Sequence, residues 1–449
     1  MKQKKIHEWS LGYVWLRHYA RWILRFFYSE IVVEGQENIS KDTPVIFALN
    51  HQNALMDAIL VLCSMPQQPV FMARSDIFKK PLIIRILTFL KIMPAYRIRD
   101  GFSNLSKNDE VFDKAIDALH DNKTLGIMPE GNHGDQRRLR QLGKGLFRIA
   151  LKAQEKKGVE PYVKIIPVGL DFSHYYHFRA RAIVRFGKPI EVSDYYESYE
   201  SNQPQAYNEL RERIEQAMKQ QMLHVESEKY YDTVWTLKEI VKDDLTIPNQ
   251  TKKNRFLRLF EKEQIIIEKI NEHTKDKEQE LETIKPLVNR QINGLRGLNI
   301  RPWVQGANES MLYLILVSLI HIALLPIFLY GYINNIVAYH LTARLVKNIK
   351  DKQFHNSIKY VIFLFVVPFI FIIQSLIVGL AFDSFIVAAL YFISLYYTGV
   401  LAFDYYIFAK KTIAIWKYKI LKILKDSRVV ILEQDREQLI KYTKNLTGL

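Results

Sequence analysis

The chain has 449 residues, enough for about two to three domains, and its 63 Lys and Arg against 47 Asp and Glu give a formal net charge of +16. This excess favours an anionic partner, such as nucleic acid, acidic lipid or a phosphorylated substrate. The single cysteine, Cys63, excludes an intramolecular disulfide and a multi-cysteine zinc site.

Residues 1–30 predict an amphipathic helix. Basic residues alternate there with large apolar residues at helical spacing: Trp15, Tyr19, Ile23, Phe26 and Phe27. The pattern predicts a helix that lies in a membrane interface, and a helix that packs on the protein's own core is the alternative. The interleaved charges do not fit a clean secretory signal peptide.

Residues 31–204 predict an α/β domain. Helical patterns over 109–120 and 145–156 lie between short β-branched runs, at residues 31–33, 45–47, 70–72, 125–128, 164–168 and 182–186. Strands that alternate with helices imply a mainly parallel sheet flanked by helices.

A charged helical region follows over residues 205–305, with a break at Ile247–Gln250. Residues 306–409 then hold apolar segments long enough for a bilayer, and 410–449 form a basic tail. The second and third segments, 360–382 and 385–409, pair around Asp383 and Ser384. Charge places the basic stretches and the N-terminal domain on the cytoplasmic side, which requires a re-entrant hairpin over about 311–345, near Pro326.

The first chemical motif is His51 with Asp57, inside an otherwise apolar stretch. A neutral imidazole after a strand can take a proton from an alcohol, and a carboxylate can fix its tautomer. A step of six residues turns an ideal helix by about 600°, so the two side chains do not share a helix face. We therefore expect His51 in the loop before the helix, with Asn50 or Asn53 as the helix cap.

Two further motifs can bind a polar, phosphorylated ligand. Arg97 follows an apolar stretch that ends at Pro94, and a guanidinium suits a phosphate. Pro129-Glu130-Gly131-Asn132-His133-Gly134 ends a strand and precedes Lys144. His51, Asp57, Glu130 and His133 also allow a metal site, and with it a metal-dependent hydrolase.

These motifs, with the strand Ile166-Pro167-Val168, resemble the four blocks of the phospholipid/glycerol acyltransferase family over about residues 30–200. Two features depart from the pattern. Five residues separate His51 from Asp57 where four are usual, a spacing similar to some glycerol-3-phosphate acyltransferases. Asn132-His133-Gly134 replaces Thr-Arg-Ser, so the phosphate would depend on Arg97, Lys144 and either Arg137 or Arg138.

The resemblance implies transfer of a fatty acyl group from acyl-CoA or acyl-carrier protein to glycerol 3-phosphate, without a metal or other cofactor. It implies that His51 is the base and Asp57 orients it. The resemblance also implies that the substrate is bound by Arg97, Glu130, Gly131, Asn132 and Lys144. The expected partners are membrane lipid, the acyl donor and the phosphorylated glycerol, with no nucleic acid. Two alternatives stay open: an acyltransferase for 1-acylglycerol 3-phosphate or another lysolipid, and a catalytically inactive, membrane-anchored lipid-binding protein.

Overall fold

The computed structural model of the protein describes residues 5–40, 42–96, 107–245, 254–275 and 277–448. The chain divides into two compact units. The first comprises Met1–Met222 together with the short segment Ile349–Tyr360. The second comprises Leu223–Asn348 and Val361–Leu449.

A mainly parallel sheet forms the centre of the first unit. Within the described residues it has eight strands: β1 (Glu30–Glu34), β2 (Val45–Leu49), β3 (Val70–Arg74), β4 (Ile92–Ala95), β5 (Leu125–Ile127), β6 (Lys164–Phe172), β7 (Arg181–Phe186) and β8 (Ile190–Glu191). Their spatial order is β1-β7-β6-β2-β5-β3-β4, and β8 pairs with β6. The β6–β7 and β6–β8 pairs are antiparallel, and the other pairs are parallel.

Helices accompany this sheet along the chain: α1 (Leu11–Phe27), α2 (Leu55–Ser64), α3 (Pro81–Phe89), α4 (Lys107–His120), α5 (Gly145–Gln154), α6 (Tyr196–Ser201) and α7 (Gln203–Lys219). Ile46 and Ala48 of β2 share a buried apolar cluster with Phe147 of α5 and Leu210 of α7. Because side chains alternate along a strand, only every second residue of β2 joins this cluster.

All six predicted strands are confirmed, as are the helices predicted over 109–120 and 145–156. The prediction omitted β4 and β8. Pro94 lies inside β4, and proline weakens a strand signal because it cannot donate to the ladder. The strand tolerates it as the last strand of the sheet, while β8 is only two residues long.

The N-terminal helix is confirmed as α1, and its faces differ. Ile23, Phe26 and Phe27 are buried within the first unit, whereas Trp15 is 71% exposed. Most of the predicted apolar residues therefore pack on the protein's own core, and the first half of the helix keeps a large aromatic side chain outside.

The second unit is helical in its described residues. It contains α8 (Tyr231–Val241), α9 (Arg255–Thr274), α10 (Glu280–Gly297), α11 (Met311–Lys347), α13 (Val367–Ala381), α14 (Phe385–Ile423) and α15 (Ser427–Thr447). Lys238 of α8, fully buried, pairs with Glu263 of α9 at 2.7 Å. The helical character predicted for 205–305 is confirmed, and the predicted break at Ile247–Gln250 lies outside the described residues.

In the part of the chain that the structure describes, three helices are long and apolar enough to cross a membrane: Met311–Lys347, Phe354–Ala381 and Phe385–Ile423. The second comprises α12 (Phe354–Val361), a π-helical turn (Ile362–Val366) and α13. The length and composition of these helices indicate that this region integrates into a membrane.

The first of these helices is continuous, where the sequence suggested a hairpin over 311–345. The helix continues past Pro326 and Gly331 because it packs against α14. Gly331 lies directly against the backbone of Thr398, and Asn335 donates to the Leu395 carbonyl oxygen at 3.2 Å. Contacts of this kind let long membrane helices keep proline and glycine.

Gly169→Ala should destabilise the first unit, because a Cβ there would come within 2.1 Å of the Gln221 carbonyl oxygen. Overpacking against backbone typically costs about 1–3 kcal/mol. The unfolding midpoint in detergent, followed by exposure of the buried Cys63 thiol, should fall. Gly145→Ala is the control, since its Cβ meets only the Phe112 ring at 3.6 Å in a helix. Equal midpoints in the two variants would contradict the close packing of β6.

Candidate active site

The candidate site lies at the carboxyl edge of the sheet. The strands β2, β5, β3 and β4 are neighbours in that order and run parallel. Residues that follow them therefore meet at one edge, where open α/β sheets bind their ligands. His51 follows β2, Glu130 follows β5, and Arg74 ends β3.

His51 and Asp57 form a hydrogen-bonded pair. His51 lies in the loop before α2, as its spacing from Asp57 predicts, and Asp57 lies in the first turn of that helix. The His51 Nδ1 and Asp57 Oδ2 atoms are 2.9 Å apart. An ionised carboxylate only accepts, so Nδ1 carries the hydrogen and Nε2 of neutral His51 has a free lone pair. The His51 side chain is 17% exposed, while that of Asp57 is fully buried.

The backbone before α2 closes around the same carboxylate. The N–H groups of Gln52 and Asn53 both donate to Asp57 Oδ2, at 2.9 and 2.8 Å. Ala54 at the helix start has a φ of 46°, in the left-handed region that non-glycine residues rarely adopt. The tight loop with this residue accommodates the longer spacing between His51 and Asp57.

The predicted asparagine caps are not formed. The Asn50 side chain bonds instead to both backbone groups of Leu170 on β6, at 2.7 and 2.9 Å. The Leu55 N–H of α2 donates to the hydroxyl of the distant Ser357, at 3.1 Å. A sequence rule for local caps could not anticipate a partner about 300 positions away.

Glu130 connects the loop after β5 to the histidine. Its Oε1 accepts the His51 backbone N–H at 2.8 Å, and its Oε2 accepts Arg140 Nε at 3.2 Å. Its side chain is 1% exposed. Burial raises the pKa of Glu130, against the opposing effect of these hydrogen bonds. Both oxygens thus have protein partners, and these contacts shape the loop; the role of Glu130 in holding the glycerol stays a prediction.

The neighbouring residues complete this loop. Gly131 has a φ of +66°, which favours glycine, and the Asn132 carbonyl oxygen accepts a hydrogen bond from Arg140. The Gly134 N–H donates to the His51 carbonyl oxygen at 3.1 Å. The two motifs are therefore held together through backbone atoms on both sides of His51.

The basic residues predicted to bind the phosphate differ in where the structure places them and in what they contact. Arg97 lies outside the described residues, two positions after the end of β4. Lys144 is exposed at the start of α5. Arg137 binds Asp171 at 2.9 Å and packs on the Tyr175 ring, so it supports the fold. Arg140, which the sequence analysis did not single out, lies beside Glu130 instead.

His133 occupies the position of the family's arginine and faces His51. The two rings are perpendicular, with centroids 5.5 Å apart. Within the described residues, no group of three or more His, Cys, Asp or Glu side chains could hold a metal ion. In the tetrad considered for a metal, His51 is bonded to Asp57 and both oxygens of Glu130 have protein partners.

These features define an α/β domain with a histidine–carboxylate pair suited to general-base chemistry at the sheet edge. Residues 30–171 match the sequence model of the Acyltransferase family. These residues therefore form a domain similar to that family, and the resemblance predicted from the sequence is confirmed.

Several proteins share this similarity. Two are from Saccharomyces cerevisiae: glycerol-3-phosphate O-acyltransferase 1 is 38% identical over 82 residues, and glycerol-3-phosphate O-acyltransferase 2 is 33% identical over 110. These alignments cover 18% and 24% of this chain, and 11% and 14% of the yeast proteins. The 1-acyl-sn-glycerol-3-phosphate acyltransferase of Borreliella burgdorferi is 30% identical over 125 residues, which cover 27% of this chain and 47% of that protein. The chain thus spans less than half the length of each of these relatives.

Asn50→Ala should lower the stability of the first unit, since both backbone groups of Leu170 lose a buried partner. An unsatisfied buried group costs about 1–3 kcal/mol. Asn38→Ala is the comparison, because half-buried Asn38 makes only one such bond, to the Phe186 carbonyl oxygen at 2.9 Å. The unfolding midpoint, read from Cys63 exposure, should fall further for Asn50→Ala, and the reverse order would refute this role of Asn50.

Proposed function

We propose that the protein transfers a fatty acyl group from a thioester donor to a hydroxyl of glycerol 3-phosphate. The observation that carries this proposal is the His51–Asp57 pair at the carboxyl edge of an acyltransferase-family sheet. The relatives named as glycerol-3-phosphate O-acyltransferases support this acceptor. The relative named as a 1-acylglycerol-3-phosphate acyltransferase supports a lysolipid as the alternative.

In the proposed mechanism, His51 Nε2 takes the proton of the acceptor hydroxyl. The oxygen forms a bond to the thioester carbonyl carbon, and the resulting tetrahedral intermediate collapses as the carbon–sulfur bond breaks. The leaving thiolate takes the proton from the imidazolium. Asp57 stabilises that imidazolium and fixes the ring, because its charge is buried 2.9 Å from Nδ1. The mechanism requires no metal and no acyl-enzyme.

We assign the acceptor phosphate to Arg97 and Lys144. In the sequence Arg97 comes two positions after β4, and β4 ends at the same edge of the sheet as β2. The Gly143 N–H donates to the Pro129 carbonyl oxygen at 2.7 Å, so the chain returns to the end of β5 just before Lys144. Lys144 also precedes the first turn of α5, whose free N–H groups favour an anion.

In this proposal the membrane receives the acylated product. Acyl-CoA or acyl-carrier protein would be the donor, and the product remains in the bilayer. We infer that the site faces the cytoplasm, where these donors occur; this orientation now rests on the basic segment of the first unit and not on a hairpin, because α11 is continuous. The segment Ile349–Tyr360, which contains Lys350, Lys352 and Lys359, belongs to the same unit as the site. Basic loops near membrane helices favour the cytoplasmic side.

His51→Ala should reduce acyl transfer by roughly 10²- to 10⁴-fold, because a positioned base contributes about that much. The assay would use membranes containing the protein, labelled palmitoyl-CoA, and glycerol 3-phosphate or lysophosphatidate as acceptor. His18→Ala, at an exposed histidine of α1, is the control and should retain full activity.

The acceptors separate the alternatives in that assay. His51-dependent product from glycerol 3-phosphate supports the proposal, and product from lysophosphatidate alone would replace it with the second acylation. Turnover that survives in His51→Ala would exclude this base. Lipid binding without turnover on either acceptor would favour the inactive lipid-binding protein.

Arg97→Lys should raise the KM for the phosphorylated acceptor by about tenfold and leave the KM for the donor unchanged. Lysine keeps the charge but loses the paired hydrogen bonds of a guanidinium. The measurement is a pair of titrations, one for each substrate, with Arg213→Lys, at an exposed arginine of α7, as the matched control. An effect confined to the donor would contradict the assignment of Arg97 to the phosphate.

A further inference from the structure

The segment Ile349–Tyr360 lies far from the family-matched residues in sequence but belongs to the first unit. Its side chains bond into that unit at several points. Ser357 binds the N–H of Leu55 on the helix that carries Asp57, and Asn356 donates to the Tyr28 hydroxyl at 3.1 Å. This segment is therefore part of the structure that holds the candidate active site.

Two residues of the segment contact His133. The Asp351 Oδ2 and His133 Nε2 atoms are 3.1 Å apart. The Phe354 ring lies edge-on to the imidazole, with centroids 4.8 Å apart. The His133 residue is 8% exposed, so these contacts and the facing ring of His51 fix its orientation.

The contact with Asp351 decides which nitrogen of His133 can accept a hydrogen bond. A carboxylate only accepts, so Nε2 of the neutral ring carries the hydrogen and Nδ1 has the lone pair. Nδ1 makes no hydrogen bond to the described residues. Burial lowers the pKa of His133, against the raising effect of Asp351, which favours this neutral form.

The two histidines are thus arranged alike. Asp57 holds Nδ1 of His51, and Asp351 holds Nε2 of His133, so each neutral ring keeps one accepting nitrogen. The two rings touch edge to face, with centroids 5.5 Å apart, so a short polyol that lies alongside both rings can offer one hydroxyl to each. An arginine at position 133 could only donate hydrogen bonds. It would therefore suit a phosphate oxygen, but it could not accept a hydrogen bond from a hydroxyl group.

We propose that His133, oriented by Asp351, accepts a hydrogen bond from the acceptor hydroxyl that is not acylated. Asp351 is then a positioning residue contributed by the segment that leads into the second membrane helix. The proposal rests on the proposed function and deepens it. Glycerol 3-phosphate has a second free hydroxyl for His133, whereas a monoacylated glycerol phosphate has only the one that reacts.

The test compares glycerol 3-phosphate with 3-hydroxypropyl phosphate, which lacks the second hydroxyl. Wild-type protein should prefer glycerol 3-phosphate by roughly tenfold in kcat/KM, the effect of about one lost hydrogen bond. In His133→Gln, whose amide reaches the Nε2 position, this ratio should fall to about one. His133→Asn, whose side-chain oxygen can occupy the Nδ1 position, should retain most of it.

Asp351 is tested through the same ratio. Asp351→Ala should lower the preference about threefold in the wild-type background and not at all in His133→Gln, because coupled residues are not additive. A merely structural role would reduce turnover of both acceptors equally. Lys352→Ala, an exposed neighbour of Asp351, is the control and should leave the ratio unchanged.

The two proposals fail separately. If wild-type membranes give no His51-dependent product with glycerol 3-phosphate, the proposed function fails. If they give product but the preference for the second hydroxyl is absent, or persists in His133→Gln, only the role of His133 is overturned. A preference lost equally in His133→Gln and His133→Asn would also contradict acceptance through Nδ1.

Discussion

The negative charge of Asp57 is fully buried, and the local structure is organised around it. A buried carboxylate is tolerated only where it is paired and hydrogen-bonded. The ring of His51 and the N–H groups of Gln52 and Asn53 all converge on one of its oxygens. The same contacts fix the tautomer of His51, hold the loop before α2 and set where that helix starts. A change that displaced this charge would therefore disturb the proposed chemistry and the local fold together.

The sheet brings the remaining groups to this charge. Because β2, β5, β3 and β4 are parallel neighbours, segments distant in sequence end at a common edge. Glu130 then joins the loop after β5 to the backbone of His51 and to Arg140. These bonds hold the loop after β5 against the backbone on either side of His51.

Much of the fold was predictable from local pattern. The β-branched runs marked six strands, and helical spacing marked α1, α4 and α5. The spacing of His51 and Asp57 correctly placed the histidine in a loop. Local sequence pattern did not predict those features that depend on packing between segments distant in the sequence. The continuity of α11 depends on α14 beside it, and the contacts of Glu130 and Arg140 depend on the loop they stabilise.

By itself, the sequence determined the class of domain, the identity of its histidine–carboxylate pair and the presence of three apolar helices, because each depends on residue type and short-range spacing. Only the tertiary structure decided that Asp351 and Ser357, more than 200 positions from the residues they touch, complete this site. Neither residue belongs to a local motif. Their roles arise from chain packing that brings two side chains within hydrogen-bonding distance, and no periodicity of the sequence encodes that distance.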